Sequence, residues 1–164
     1  MYVDMLIHGD TIRVYNLHLE SIGFQSSDYQ FVEEITKGQA EQAALRRASS
    51  SIVRKLLRAF NFRSQQTEVV IKSLSECPYP VIICGDFNDT PLSFAYHSIS
   101  KGLDDAFIQA GFGLGNTFNG KLPPMRIDYI LYSPEFEAYD FNVHRIDLSD
   151  HFPVSTYLSK VSSE

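Results

Sequence analysis

Two periodicities divide this chain. Val3, Met5 and Ile7 alternate with Asp4, Leu6 and His8, and beyond Gly9-Asp10 the alternation resumes on Ile12, Val14, Asn16 and His18. A period of two on either side of a turn dipeptide predicts a β-hairpin closed at Gly9-Asp10. Residues 19–27, rich in Ser with one Gly, read as a loop. From about Asp28 the spacing becomes helical: Tyr29, Val32 and Ile35 mark a first helix that Gly38 interrupts. A second runs from about Gln39 to Phe60, with Ala44, Leu45, Ile52, Val53, Leu56, Leu57 and Phe60 on one side. A third runs from Ser64 to Leu74 and stops before Pro78. Pro80 to Cys84 is an apolar run with strand character. Pro91 and Ser93 open a short helix toward Ser100, and Gly102 to Ala110 predicts another, followed by a loop with Gly111, Gly113 and Gly115. Three strands complete the chain, at Arg126–Tyr132, Asp140–Ile146 and Phe152–Leu158. Long helices inserted between strands suit a layered α/β sandwich. No linker interrupts the pattern, so residues 1–164 form one domain or part of one.

Composition narrows the function classes. With 164 residues, 44% of them hydrophobic, the chain can bury one ordinary core. The formal net charge of -6 gives no general attraction to nucleic acid, whose binding rests largely on Lys and Arg contacts to phosphate. One basic stretch, Arg46, Arg47, Arg54, Lys55 and Arg58, reads either as a strip for an anionic partner or as a solvated helix face. Cys77 and Cys84 match no metal-ligand spacing, and Cys84, inside an apolar run, reads as a buried thiol. No apolar run approaches the roughly 20 residues that span a bilayer, and Met1 opens no signal peptide.

Chemistry concentrates in polar islands at strand ends. Gly85-Asp86-Phe87-Asn88 follows Val81-Ile82-Ile83-Cys84. On an extended backbone Asp86 and Asn88 point to one side, and Phe87 points into the core. A carboxylate there can orient or deprotonate water, and a neutral carboxamide can donate to a phosphate oxygen without repelling it. The competing reading is an Asx turn at a strand end. Asp150 and His151 are neighbours and cannot easily orient each other. They divide naturally into Asp150 toward a divalent metal and His151 toward phosphate or the attacking water. His151 then needs a partner to set its tautomer, for which Asp128, opening another strand, is the best candidate. His18, at the end of the second strand, is placed to act as general acid for a leaving oxygen, with Asn16 on the same face to orient it; a structural role fits a strand-end histidine equally. Phe118, in the loop Asn116–Asn119, is available either for stacking or for a satellite core.

Taken in order, Asn16-x-His18-Leu19, Gly85-Asp86-Phe87-Asn88, Arg126-Ile127-Asp128-Tyr129-Ile130 and Ser149-Asp150-His151-Phe152-Pro153-Val154 resemble the endonuclease/exonuclease/phosphatase superfamily, the DNase I-like group. The resemblance runs from about residue 10 to 158. It implies a four-layer α-β-β-α sandwich and a Mg²⁺-dependent phosphoesterase site at one edge, with Mn²⁺ as the alternative ion. Carried over, Asp86 orients or activates the nucleophilic water and shares the metal with Asp150. Asn88 supports the phosphate, Asp128 orients His151, His151 stabilises developing charge, and His18 stands near the leaving oxygen. The continuation Asn88-x-x-Pro91-x-Ser93 looks more like the deadenylase-like and bacterial members than the abasic-site endonucleases.

The chain departs from the family pattern in one respect. Members carry an early Asn and a metal-binding Glu in an N-terminal half, and Glu20, Glu33 and Glu34 do not lie in the matching context. The expectation is therefore a C-terminal part of one such domain, weak in turnover by itself and prone to self-association through open sheet edges. Two readings follow. One is a phosphoesterase acting on a phosphate ester (nucleic acid, phospholipid or sugar phosphate) and needing the absent half. The other is a non-catalytic interaction module on the same scaffold.

Overall fold

The computed structural model describes residues 1–37 and 42–161. Strands β1 (Tyr2–Ile7) and β2 (Asp10–His18) form the expected antiparallel hairpin. The turn sits one residue earlier than its sequence signal, on His8-Gly9, and Asp10 already pairs with Ile7. Both turn residues have positive φ, 52° and 92°, the two-residue geometry whose twist matches the flanking strands.

Helix α1 (Ser26–Thr36) begins with a reciprocal cap, in which the Gln25 N–H donates to Asp28 Oδ2 at 2.7 Å. Gly38 and Gln39 lie outside the described residues. Helix α2 runs unbroken for 34 residues, Gln42–Ser75, so the expected break between Phe60 and Ser64 is not there. Asn61-Phe62-Arg63 contains neither Gly nor Pro. Arg63, polar on any hydropathy scale, is only 2% exposed and points inward. The long crossover delivers the chain to β3 (Val81–Asp86), parallel to β2, as a parallel pair requires.

Helix α3 (Phe94–Ile99) is capped by Ser93, whose hydroxyl accepts from the Tyr96 N–H at 3.1 Å. Of the helix expected over Gly102–Ala110, only α4 (Ala106–Ala110) forms; Asp104–Asp105 instead make a two-residue strand, β4, against β5 (Asp128–Tyr132). The Asp105 side chain caps α4 by accepting from Phe107 N–H at 2.9 Å, which explains the switch from strand to helix at this residue. Strands β6 (Phe136–Val143) and β7 (Val154–Lys160) pair as a separate sheet. β6 starts four residues before its sequence signal because Asp140, at φ 53°, interrupts the alternation where the register slips between Tyr139 and Asn142.

The main sheet has the order β1-β2-β3-β5-β4. One of its faces, carrying Tyr15, Leu17, Ile83 and Leu131, packs under α2 and α3 together with Val70, Leu74, Tyr96 and Ile99. The other, carrying Ile12, Ile82, Ile130 and Tyr132, packs on Phe136, Phe141, Val154 and Leu158 of the second sheet. Helices, sheet and sheet therefore stack in the order expected of the DNase I-like sandwich, with α4 beside β6. The outer strand β1 is exposed on both faces, including Val3, Met5 and Leu6. Cys77 and Cys84 are free, and burial raises the Cys84 thiol pKa.

Candidate active site

Strand register builds the site. His18 pairs with Asp86 across the parallel β2–β3 ladder, and Asp86 pairs with Asp128 across the antiparallel β3–β5 ladder. Three side chains therefore stand in one row across three neighbouring strands. Their even-numbered phase is that of Ile82 and Ile130, so they occupy the face turned toward the second sheet. The close approach of β2 and β3 depends on Gly85. Its φ is 153°, and a Cβ there would lie 2.0 Å from the Leu17 carbonyl oxygen.

His151 completes the group from a loop. Its Nδ1 lies 2.9 Å from Asp128 Oδ2, and its Nε2 lies 3.9 Å from Asp86 Oδ2. A carboxylate can only accept, so the Nδ1–H donates to Asp128 and Nε2 faces Asp86. Burial works against a charged His151 imidazole, but the Asp128 hydrogen bond and the charges of Asp128, Asp86 and Asp150 outweigh it and raise the pKa. His18 Nε2 is 3.7 Å from Asp86 Oδ2, and its side chain is 76% exposed to solvent.

Asp86 lies at the centre. Burial, aided by the Asp128 charge, raises its pKa against the opposing Asn88 N–H and the two histidines. Asn88 does not continue the strand. With φ 51° it curls back, so that its N–H donates to Asp86 Oδ1 at 2.7 Å. Its Nδ2 donates to Asp86 Oδ2 at 2.9 Å and to the Leu19 carbonyl at 3.0 Å. The Asx turn and the site contact are thus one arrangement, since the turn is what holds the carboxamide against Asp86. Phe87 points into the core, fully buried.

Asp86, Asp128 and His151 each offer a ligand atom, all within 4.8 Å of one another. Carboxylate oxygens match a hard cation such as Mg²⁺ or Mn²⁺. Asp128 Oδ2 is committed to His151, so Asp86 and the free Asp128 oxygen would be the oxygen donors to such an ion. The donor types therefore fit such an ion. Asp150 is exposed and stands outside this three-residue group. With Asn88 and His151 it lines a cavity of about 320 Å³ whose other walls include Phe24, Tyr29 and Leu56.

Sequence reasoning assigned no role to the residues that brace the site. From α2, Arg63 donates to Asp89 Oδ2 at 2.9 Å and to the Glu20 carbonyl at 2.8 Å. Gln66 accepts from the Glu20 N–H at 2.8 Å, fixing the segment just beyond His18. Arg126 pairs with buried Asp105 at 2.7 Å and lies over the rings of Phe107 and Tyr129. An arginine next to an apolar strand was the available signal for Arg126; Arg63 gave none beyond being polar in an amphipathic helix. Of the basic strip, Lys55 turns inward to an ion pair with Asp28, and Arg58 lies over Phe62. The side chains of Arg46 and Arg47 lie outside the described set.

Among solved structures, an endonuclease/exonuclease/phosphatase family protein from Bacteroides thetaiotaomicron is 24% identical, with TM-score 0.59 over 92% of this chain and 51% of its own. One from Bacteroides vulgatus is 26% identical, with TM-score 0.51 over 62% of this chain and 45% of its own. The human Nocturnin catalytic domain with bound sulfate anion is 15% identical, with TM-score 0.58 over 98% of this chain and 51% of its own. The chain thus spans about half the length of these structures. No curated protein matches it. No helix among the described residues is long and apolar enough to cross a membrane. The sequence profile of the Endonuclease/Exonuclease/phosphatase family matches residues 26–151, a span holding Asp86, Asn88, Asp128 and His151, and the chain belongs to that family of phosphoesterases.

Proposed function

We propose that this site hydrolyses a phosphate ester by attack of an activated water, in a whole protein of which this chain supplies one part. The convergence of Asp86, Asp128 and His151, with His18 across from them, carries the reading. In it, Asp86 orients the water and takes its proton. Asp128 orients His151 and favours its protonated form, so that Nε2–H donates to a phosphoryl oxygen and stabilises its developing charge. His18 donates a proton to the departing oxygen. For Asn88 to support phosphate, a phosphoryl oxygen must replace one of the acceptors its amide now uses. Asp86 is the proposed main holder of a divalent cation, Mg²⁺ or Mn²⁺; Asp150, exposed and outside the Asp86–Asp128–His151 group, would join it by turning inward. When bound, the cation supplies Lewis-acid polarisation of the phosphoryl group.

The cavity beside His151 bears on the substrate. Among the described lining residues Arg63 is the one lysine or arginine, and it is spent on Asp89 and the Glu20 carbonyl. Aromatic and aliphatic side chains make most of the wall, which favours an ester whose remaining group is uncharged and apolar over a polyphosphorylated one. The test uses the full-length protein with bis(p-nitrophenyl) phosphate and p-nitrophenyl phosphate. Chelation by EDTA should abolish turnover, and added Mg²⁺ or Mn²⁺ should restore it. Turnover that survives chelation removes the metal from the account. No turnover on either ester shifts the weight to a non-catalytic interaction module.

We further propose that the exposed apolar edge strand β1 drives self-association of the chain. Sedimentation velocity should show a mass that rises with concentration, and Leu6→Lys should suppress it. A compact monomer at every concentration contradicts this.

A further inference from the structure

We propose that Thr117 is the positioning residue of the Asp128–His151 pair, fastening the two separate segments that carry these side chains. The proposal rests on the phosphoesterase reading for its kinetic consequence, but not for its geometry.

β5 has a gap on one side. β4 covers only its far end, pairing at Leu131 and Tyr132, and leaves the first residues without a strand neighbour there. The Ile127 carbonyl accepts from Phe87 N–H at 2.8 Å, so the next peptide N–H, that of Asp128, points away from β3 into this gap. Buried N–H groups need acceptors. Thr117 fills the need: its Oγ1 accepts from both the Ile127 and the Asp128 N–H groups at 3.1 Å.

The same residue reaches the histidine segment. The Thr117 carbonyl accepts from Phe152 N–H at 2.7 Å, next in sequence to His151. Its own N–H donates to the Met125 carbonyl at 2.9 Å, closing the loop back to the start of β5. Its neighbours extend the seam, since Phe118 bridges His151 and Asn119 N–H donates to the Asp150 carbonyl at 2.7 Å. Thr117 is fully buried and therefore touches no substrate. One side chain and one peptide unit thus fix the backbone of Asp128 and that of Phe152. The 2.9 Å contact between Asp128 and His151 is set by these two anchor points.

The hydroxyl, not the volume, is the active element. Thr117→Val keeps the shape and removes the acceptor, whereas Thr117→Ser keeps the acceptor and removes a methyl. In the full-length protein, Thr117→Val should lower kcat by about 100-fold with KM little changed, the scale expected when reacting groups are misplaced by about an ångström. It should also abolish the low-field NMR signal of the His151 Nδ1 proton hydrogen-bonded to Asp128. Thr117→Ser should retain both. A folded Thr117→Val protein with wild-type kcat and an intact imidazole signal overturns the proposal. So does a Thr117→Ser protein that loses the signal, because packing would then be what matters. If Thr117→Val does not fold, Thr117→Ser decides by the same two readouts. Should the wild-type protein hydrolyse no ester, the phosphoesterase reading falls, and the imidazole signal alone still judges Thr117.

Discussion

Asp128→Asn should lower kcat by about 1,000-fold or more in the full-length protein while the fold survives. The substitution is nearly isosteric, and it removes the carboxylate that accepts from His151 Nδ1 at 2.9 Å. A carboxamide carries no charge, so it no longer favours the protonated imidazole whose Nε2–H must meet the phosphoryl oxygen. The pH profile gives a second readout. His151 carries a raised pKa because Asp128, Asp86 and Asp150 together outweigh burial; without Asp128 burial weighs more, and the pKa falls. Charge stabilisation by a protonated His151 is lost as pH rises through that value, so the alkaline limb should move to lower pH. The Asp128 charge also helps to raise Asp86, behind burial. Without it the Asp86 carboxylate forms at lower pH, and the acid limb should move down too. Measured kcat/KM against pH should thus shift acidward on both limbs. Wild-type kcat with an unmoved profile would remove Asp128 from the mechanism.

The second large effect is on stability. Arg126→Met should destabilise the protein by about 3–5 kcal/mol, the usual cost of leaving one partner of a buried ion pair uncompensated. Arg126 and Asp105 are 6% and 4% exposed at the side chain and pair at 2.7 Å. Asp105 also accepts from Tyr96 Oη at 2.7 Å and caps α4 through Phe107 N–H, so its charge cannot turn to solvent. Burial, with Asp105 close by, pushes the Tyr96 hydroxyl up to about 12, which keeps it a donor. Adding Asp105→Asn to Arg126→Met removes the stranded charge and should recover part of the loss. Urea denaturation of the single and double variants measures this. A single-variant loss under about 1 kcal/mol would class the pair with exposed salt bridges.

The parts legible in the sequence are those written by alternation and by apolar runs. A period of two brought His18 to the end of β2, apolar runs placed Asp86 just beyond Val81–Cys84 and Asp128 ahead of Ile130-Leu131, and the strand register then aligned them. The Asp128–His151 partnership followed from elimination, because adjacent Asp150 and His151 could not serve each other. Structure built from side-chain-to-backbone bonds was not legible. Arg63 is a polar break in an apolar stripe, which is why α2 reads as two helices, yet it is a buried anchor for Glu20 and Asp89. Thr117 reads as an ordinary loop residue because nothing in a sequence marks a hydroxyl that accepts from two distant N–H groups. Asp140 looked like the start of a strand and instead breaks the middle of β6.

The central claim is that Asp86 and His151 are the working centre of a phosphoesterase. Its most direct test is Mg²⁺-dependent hydrolysis of bis(p-nitrophenyl) phosphate and p-nitrophenyl phosphate by the full-length protein beside its Asp86→Ala/His151→Ala variant. The account predicts turnover in the first and only background in the second, with both folded. Equal Mg²⁺-dependent turnover in the two would contradict it.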